Sequence, residues 1–288
     1  MKKKQFMENS IHGIFFMMGF IAVACVLLIT VYLIISGIPA IGKIGIFEFL
    51  LGREWASTAA DAKFGILPFI LSSIYGTLGA IAIGVPIGFM CAVYLSKMAP
   101  AGVKRAMQLA VSVLAGIPSV VYGLVGMLVL VPAVRTIFGV PDGAGLFASI
   151  IVLAIMILPT IIKMSITALD AVPKEYEDAS LALGAAPVET YFRVSVPAAK
   201  SGIAAGVVLG VGRAIGESMA VMMVAGNGAN MPDSLFQSVR FLTTAVAGEM
   251  SYASGLQREA LFSIALVLFV FIMIINGVLN YFLKREKV

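Results

Sequence analysis

Apolar residues fall along this chain in six blocks of about twenty, each long enough to cross a bilayer as a helix. They cover residues 14–35, 68–95, 106–131, 146–163, 203–225 and 261–283. In the second block Gly76, Ala80, Gly84, Gly88 and Ala92 recur every fourth residue, which puts small side chains on one face where another helix can approach closely. Gly202, Gly206 and Gly210 repeat the device in the fifth block, with Gly212 and Gly216 as a second stripe. Pro118 predicts a kink in the third block. Two sizeable polar segments, 38–65 and 227–259, lie at one end of these spans, with 132–145 as a brief connection there. Phe47, Phe49 and Trp55 read as interfacial anchors of the first segment.

At the other end lies the one long polar passage, residues 173–202. Pro173 suits a first helical turn, and Glu175, Glu177 and Asp178 follow where the helix dipole favours carboxylates. Gly184 supplies a left-handed stop. Pro187 opens a second short helix, in which Val188, Tyr191 and Phe192 form an apolar face beside Glu189 and Arg193. Helix, glycine corner and amphipathic helix make a shape suited to a groove on a partner protein.

Composition agrees with a membrane protein: 60% of the 288 residues are hydrophobic and 12% charged, with mean hydropathy +1.04. The net charge of +5 does not indicate nucleic acid, because the basic residues are scattered. They sort by side instead. Lys2, Lys3, Lys4, Lys97, Lys104, Arg105, Lys174, Arg193, Lys200, Lys284, Arg285 and Lys287 fall on the side of the polar passage. Lys43, Arg53, Lys63, Arg135, Arg240 and Arg258 fall on the other. Twelve against six places the passage and both termini in the cytoplasm. The first block is too long for a secretory signal and lacks a cleavage site, so residues 1–13 read as a cytoplasmic tail and 14–288 as one membrane domain.

Residues 37–43 spell most of a phosphate-binding loop, but Ile44 stands where Ser or Thr is required. Cys25 and Cys91 lie in apolar runs without metal spacing, and the sole histidine, His12, sits at a membrane edge. No catalytic residue, metal site or bound cofactor is expected. The fifth block is different, because Arg213 and Glu217 stand near its middle, four residues apart and able to pair on one helical face. An intramembrane arginine costs about 2.5–3.5 kcal/mol and marks a polar pathway. Its fork of donors matches an oxyanion in charge and geometry. Lys163, near the end of the fourth block, reads as a snorkelling anchor.

Asp178, Ala179, Ser180, Gly184, Val194, Val196 and Pro197 carry a resemblance to the EAA loop of binding-protein-dependent ABC importer permeases, with Asp for Glu, Ser for Ala, and Val for Ile and Leu. The phrases LPTIIKMS, GRAIGESMAV and SLFQSVRFLTTAVAGEM narrow it to the PstC-type permeases of phosphate importers. The resemblance implies an all-α bundle of six transmembrane helices, as in type I ABC importer permeases. Its coupling loop, with Glu175, Asp178, Ala179, Ser180, Gly184, Tyr191, Phe192, Arg193 and Pro197, would dock on an ATPase. Arg213 and Glu217 would lie on the phosphate path. It implies a PstA-type permease, a PstB-type ATPase dimer carrying the ATP and a PstS-type phosphate receptor as partners in a bacterial inner membrane. Molybdate or sulfate import, or an ATP-independent channel or carrier, are the alternatives.

Overall fold

The computed structural model describes residues 2–285, side chains at the two ends excepted. Met1 and Lys287 lie outside the described residues, as do the side chains of Lys2, Lys3, Lys4, Lys284 and Arg285. The chain runs α1 (Lys2–Ile44), α2 (Ile46–Leu51), a two-stranded ribbon β1 (Trp55–Ala56) and β2 (Lys63–Phe64), and then α3 (Leu67–Val93). There follow α4 (Ala101–Gly116), α5 (Ser119–Val125), α6 (Val131–Phe138), α7 (Leu146–Asp170), α8 (Lys174–Ala182), α9 (Pro187–Thr190) and α10 (Val196–Ala198). The chain ends with α11 (Lys200–Gly216), α12 (Met219–Val224), α13 (Leu242–Glu249) and α14 (Gly255–Arg285). Five helical stretches are long and apolar enough to cross a membrane, and α11 with the bent segment before it makes a sixth.

The centre is α7, whose buried face receives α3 and α11. Both approach through small residues. A Cβ on Gly84 would lie 2.7 Å from Ile157, and one on Gly88 3.0 Å from Ile161. On α11, Gly202 meets Ala168, Gly206 meets Met164 and Gly210 meets Ile161. The two stripes do what their spacing predicts. Gly212 and Gly216 do not, since nothing stands within 4 Å of a Cβ at either. The long helix α1 leans on α14, where Ser263 Oγ donates to the Gly37 carbonyl and Tyr32 meets Phe262 edge-on at 5.6 Å. Most of α1 from residue 11 to residue 35 is exposed apolar surface.

Several boundaries differ from the sequence expectation. Residues 2–44 form one helix, so tail and first span are continuous and residues 37–43 are helical rather than a loop. Phe49 and Trp55 are buried against Phe69 and the α13–α14 corner, leaving Phe47 as the one exposed member of the expected anchors. The third block splits at Ile117 and Pro118. The residue before a proline is driven to extended backbone, and α4 ends there. The spanning stretch is 119–138, which absorbs part of the expected connection 132–145. The fifth block likewise breaks after Gly216, where Glu217 is extended at φ −72°, ψ 127°.

The two breaks meet. A Cβ on Gly123 of α5 would come within 2.7 Å of Ala220 Cα on α12, so the two backbones touch. Substitution Gly123→Val is expected to lower stability by about 1–3 kcal/mol, the usual cost of overpacking, read as a lower unfolding midpoint of the detergent-solubilised protein.

Candidate functional site

The predicted site residues fall in two regions: the loop between α7 and α11, and the mid-membrane break after α11. In the loop, α8 ends in a Schellman motif. Gly184 at φ 88° lets its N–H reach the Leu181 carbonyl at 2.9 Å and the Ala185 N–H reach the Ser180 carbonyl at 3.3 Å. The corner returns the chain along α9 and a wide π turn at 191–195, which brings Ser180 Oγ within 2.9 Å of Thr190 Oγ1. The segment 187–198 then turns by 72° into α11.

One carboxylate holds this arrangement. Glu177 Oε1 accepts from Ser195 Oγ at 2.7 Å and pairs with Lys97 Nζ at 2.6 Å, the two charged side chains being only 17% and 11% exposed. Lys97 stands in a second π turn, 94–98, at the end of α3. Burial pushes the Glu177 pKa up, but hydrogen bonds from Lys97 and Ser195 and the charges of Lys97 and Lys174 outweigh it. The net shift is downward. Glu175, Asp178, Ala179, Arg193 and Pro197 are exposed; Arg193 pairs with Glu189, at 3.2 Å on the surface. Leu183 is 90% exposed, Tyr176 55% and Val188 50%, with Phe192 exposed and Tyr191 half-buried beside them. Apolar side chains rimmed by charge on a rigid corner form a docking face.

At the break, Arg213 is half-buried, and its guanidinium makes no hydrogen bond or ion pair among the described residues. The expected pairing with Glu217 does not form, because Glu217 has left the helix. Its Oε1 instead accepts from the Ala220 N–H at 3.0 Å, starting α12, and its carbonyl accepts from Thr243 Oγ1 at 2.8 Å. The electrostatic neighbour of Arg213 is Tyr122, whose hydroxyl donates to the Leu114 carbonyl at 2.7 Å across the α4–α5 break. Irregular backbone at membrane depth survives only where protein or a polar cavity satisfies it. Here the side chains of Tyr122 and Glu217 do so.

The opposite end has its own carboxylate centre. Glu249 accepts from Trp55 Nε1 at 3.1 Å, Ser57 Oγ at 3.2 Å, Gln257 Nε2 at 3.1 Å and the Arg240 guanidinium. Segments 38–65 and 227–259 are thereby joined into one plate. Sequence reasoning did not single out Ser195, Tyr122 or Glu249; it counted Lys97 only among the charges that set orientation, and it gave Glu177 only a helix-dipole role. No short-range spacing links these residues to their partners.

A family model described as "binding-protein-dependent transport system inner membrane component" matches residues 84–288. The chain belongs to this family. The probable ABC transporter permease protein YqgH of Bacillus subtilis is 37% identical over 93% of this chain and 88% of its own length. The phosphate transport system permease protein PstC of Pasteurella multocida is 33% identical, covering 83% and 80%. PstC of Haemophilus influenzae is 34% identical, covering 90% and 86%. Among solved structures, a subunit of the inward-facing MetNI methionine ABC transporter superposes with TM-score 0.61 at 20% identity, over 77% of this chain and 95% of that one. A subunit of a bacterial alginate ABC transporter gives 0.58 at 15% identity, over 92% and 93%. At those identities the likeness concerns the fold, that of type I importer permeases. As a member of this family the chain is a multi-pass transport component.

Because its pKa is lowered on folding, Glu177 contributes stability that is complete above the ordinary glutamate range and is lost as pH falls through its folded value. The stability difference between wild type and Glu177→Gln is therefore expected to be largest near neutrality and to shrink below the ordinary carboxylate pKa. Thermal unfolding of both proteins across pH 3–7 would check this.

Proposed function

We propose that the chain is the permease subunit of an ATP-driven importer that carries inorganic phosphate into the cytoplasm. The observation that carries this reading is an Arg213 unpaired among the described residues, at a mid-membrane helix break in a chain whose relatives include phosphate transport permeases. Phosphate bears between one and two negative charges near neutral pH, and a fixed cation offsets part of the cost of dehydrating it. A guanidinium already committed to a carboxylate would offer less. With Glu217 engaged by Ala220 and Thr243, Arg213 keeps its donors for the passing anion.

The surfaces support the surrounding assembly that the family implies. The face of Tyr176, Leu183, Val188 and Phe192 suits a groove on a PstB-type ATPase dimer, which binds the ATP; this chain binds no cofactor of its own. The plate around Glu249 suits a phosphate-loaded PstS-type receptor, and a PstA-type permease completes the pathway. The excess of basic residues at the loop end supports a reading in which that end, with both termini, faces the cytoplasm across a bacterial inner membrane. Transport proceeds by alternating access. ATP-driven closure of the ATPase moves α8 and α9; the Lys97–Glu177 pair passes that movement to the end of α3, and the 72° bend passes it to α11, which carries Arg213.

Arg213→Gln is expected to reduce uptake of labelled phosphate at least tenfold while the complex still co-purifies, with excess molybdate and sulfate leaving wild-type uptake intact; normal uptake by the variant would remove Arg213 from the pathway. Gly184→Val, strained at φ 88°, should weaken capture of the ATPase by the tagged permease, and an undiminished pull-down would count against the docking face.

A further inference from the structure

Lys163, read from the sequence as a snorkelling anchor, is exposed in the structure and also lines a pocket. It stands seven residues before the end of α7 at Asp170, about 10 Å up the helix at 1.5 Å per residue. There it lines a pocket of about 300 Å³ between α4 and α7, together with Gln108, Ser112 and Thr167, over a floor of Val111 and Ile166. No carboxylate lines this pocket. Asp170, the acidic residue of the next two turns, is engaged by Ser96 Oγ at 2.5 Å and Lys104 Nζ at 3.5 Å. Thr167 donates its hydroxyl to the Lys163 carbonyl at 2.9 Å. The Lys163 ammonium, the Gln108 amide and the Ser112 hydroxyl have no partner among the described residues. One cation and two neutral donors thus line an open pocket, Lys163 and Ser112 exposed and Gln108 half-buried, with room for a tetrahedral oxyanion and a few waters, each about 30 Å³.

Its depth relates it to Arg213. Gly206 of α11 packs directly on Met164, so Lys163 stands at the level of Gly206. Arg213 is seven residues further along α11, about 10 Å nearer the opposite end of the bundle. We propose that this pocket is a second oxyanion station, in which Lys163 supplies the charge and Gln108 and Ser112 the hydrogen bonds for a phosphate group on the cytoplasmic side of Arg213. Two cationic stations in series let an anion leave the first without returning to a fully apolar environment. That the phosphate group belongs to the cargo rests on the functional reading above. An anionic lipid headgroup presents the same chemistry, and the experiment separates the two sources.

The test uses the complete importer in two kinds of vesicle, pure phosphatidylcholine and phosphatidylcholine with phosphatidylglycerol. It measures uptake of radiolabelled inorganic phosphate, ATP hydrolysis and co-purified phosphatidylglycerol. Lys163→Met is expected to lower uptake about tenfold in both kinds of vesicle, the scale of one lost hydrogen bond to a charged group. Lys163→Arg should restore it, and receptor-stimulated ATP hydrolysis should persist. The double variant Gln108→Leu with Ser112→Ala, which leaves the charge in place, should give a smaller loss in the same direction. Unchanged uptake by Lys163→Met, with less phosphatidylglycerol bound, would overturn the cargo station and assign the pocket to a lipid headgroup. Unchanged uptake and unchanged lipid would overturn the site altogether. Absence of phosphate uptake by the wild-type complex would instead defeat the functional reading, while bound lipid would still report on the pocket.

Discussion

Close approach of helices without side chains between them is the constraint on which this structure depends. Lipid tails are as apolar as leucine, so a bundle in a bilayer is held by packing contacts and hydrogen bonds rather than by removal of apolar surface from water. The glycines of α3 and α11 let both helices settle onto α7. With α7 gripped from two sides, the remaining helices can afford to be broken, short or exposed.

Those breaks are where the chemistry gathers. The α4–α5 interruption and the α11–α12 interruption face one another through the Gly123–Ala220 contact. Each is stitched by a side chain that a regular helix would not need, Tyr122 in one and Glu217 in the other. Spending Glu217 on the backbone leaves Arg213 without a carboxylate among the described residues, so a residue pair that looks self-neutralising in sequence becomes a cation with open donors. The same logic, inverted, governs the two ends. Glu177 and Glu249 are each surrounded by donors and serve as fixed centres. One joins the loop to α3; the other joins the two segments at the opposite end.

Rigid ends around a broken middle suit alternating access. Motion applied at the loop meets the nearly buried Lys97–Glu177 pair on one side and the 72° turn into α11 on the other. Loss of one partner of such a pair would strand a poorly solvated charge. The pair therefore keeps loop and span together while the groups between the spans rearrange.

The number and approximate place of the spans, the glycine stripes facing α7, and the helix–glycine–helix form of the polar loop were all legible in the sequence. Each depends on local rules: apolar length, four-residue spacing, and the left-handed preference of glycine. The EAA-like residues carried the resemblance to the family because they too are a short local pattern. What local rules could not supply was partnership across the chain. Four-residue spacing predicts an Arg213–Glu217 pair only if the helix continues, and its end after Gly216 is tied to Thr243, far along the chain. Phe49 and Trp55 look like interfacial anchors until α13 and α14 cover them. Lys97 finds Glu177, and Lys163 finds its pocket beside α4, only once α7 has set the distances between helices. Sequence determined which segments enter the membrane and which corner the loop turns; tertiary packing decided which charges are answered and which remain open.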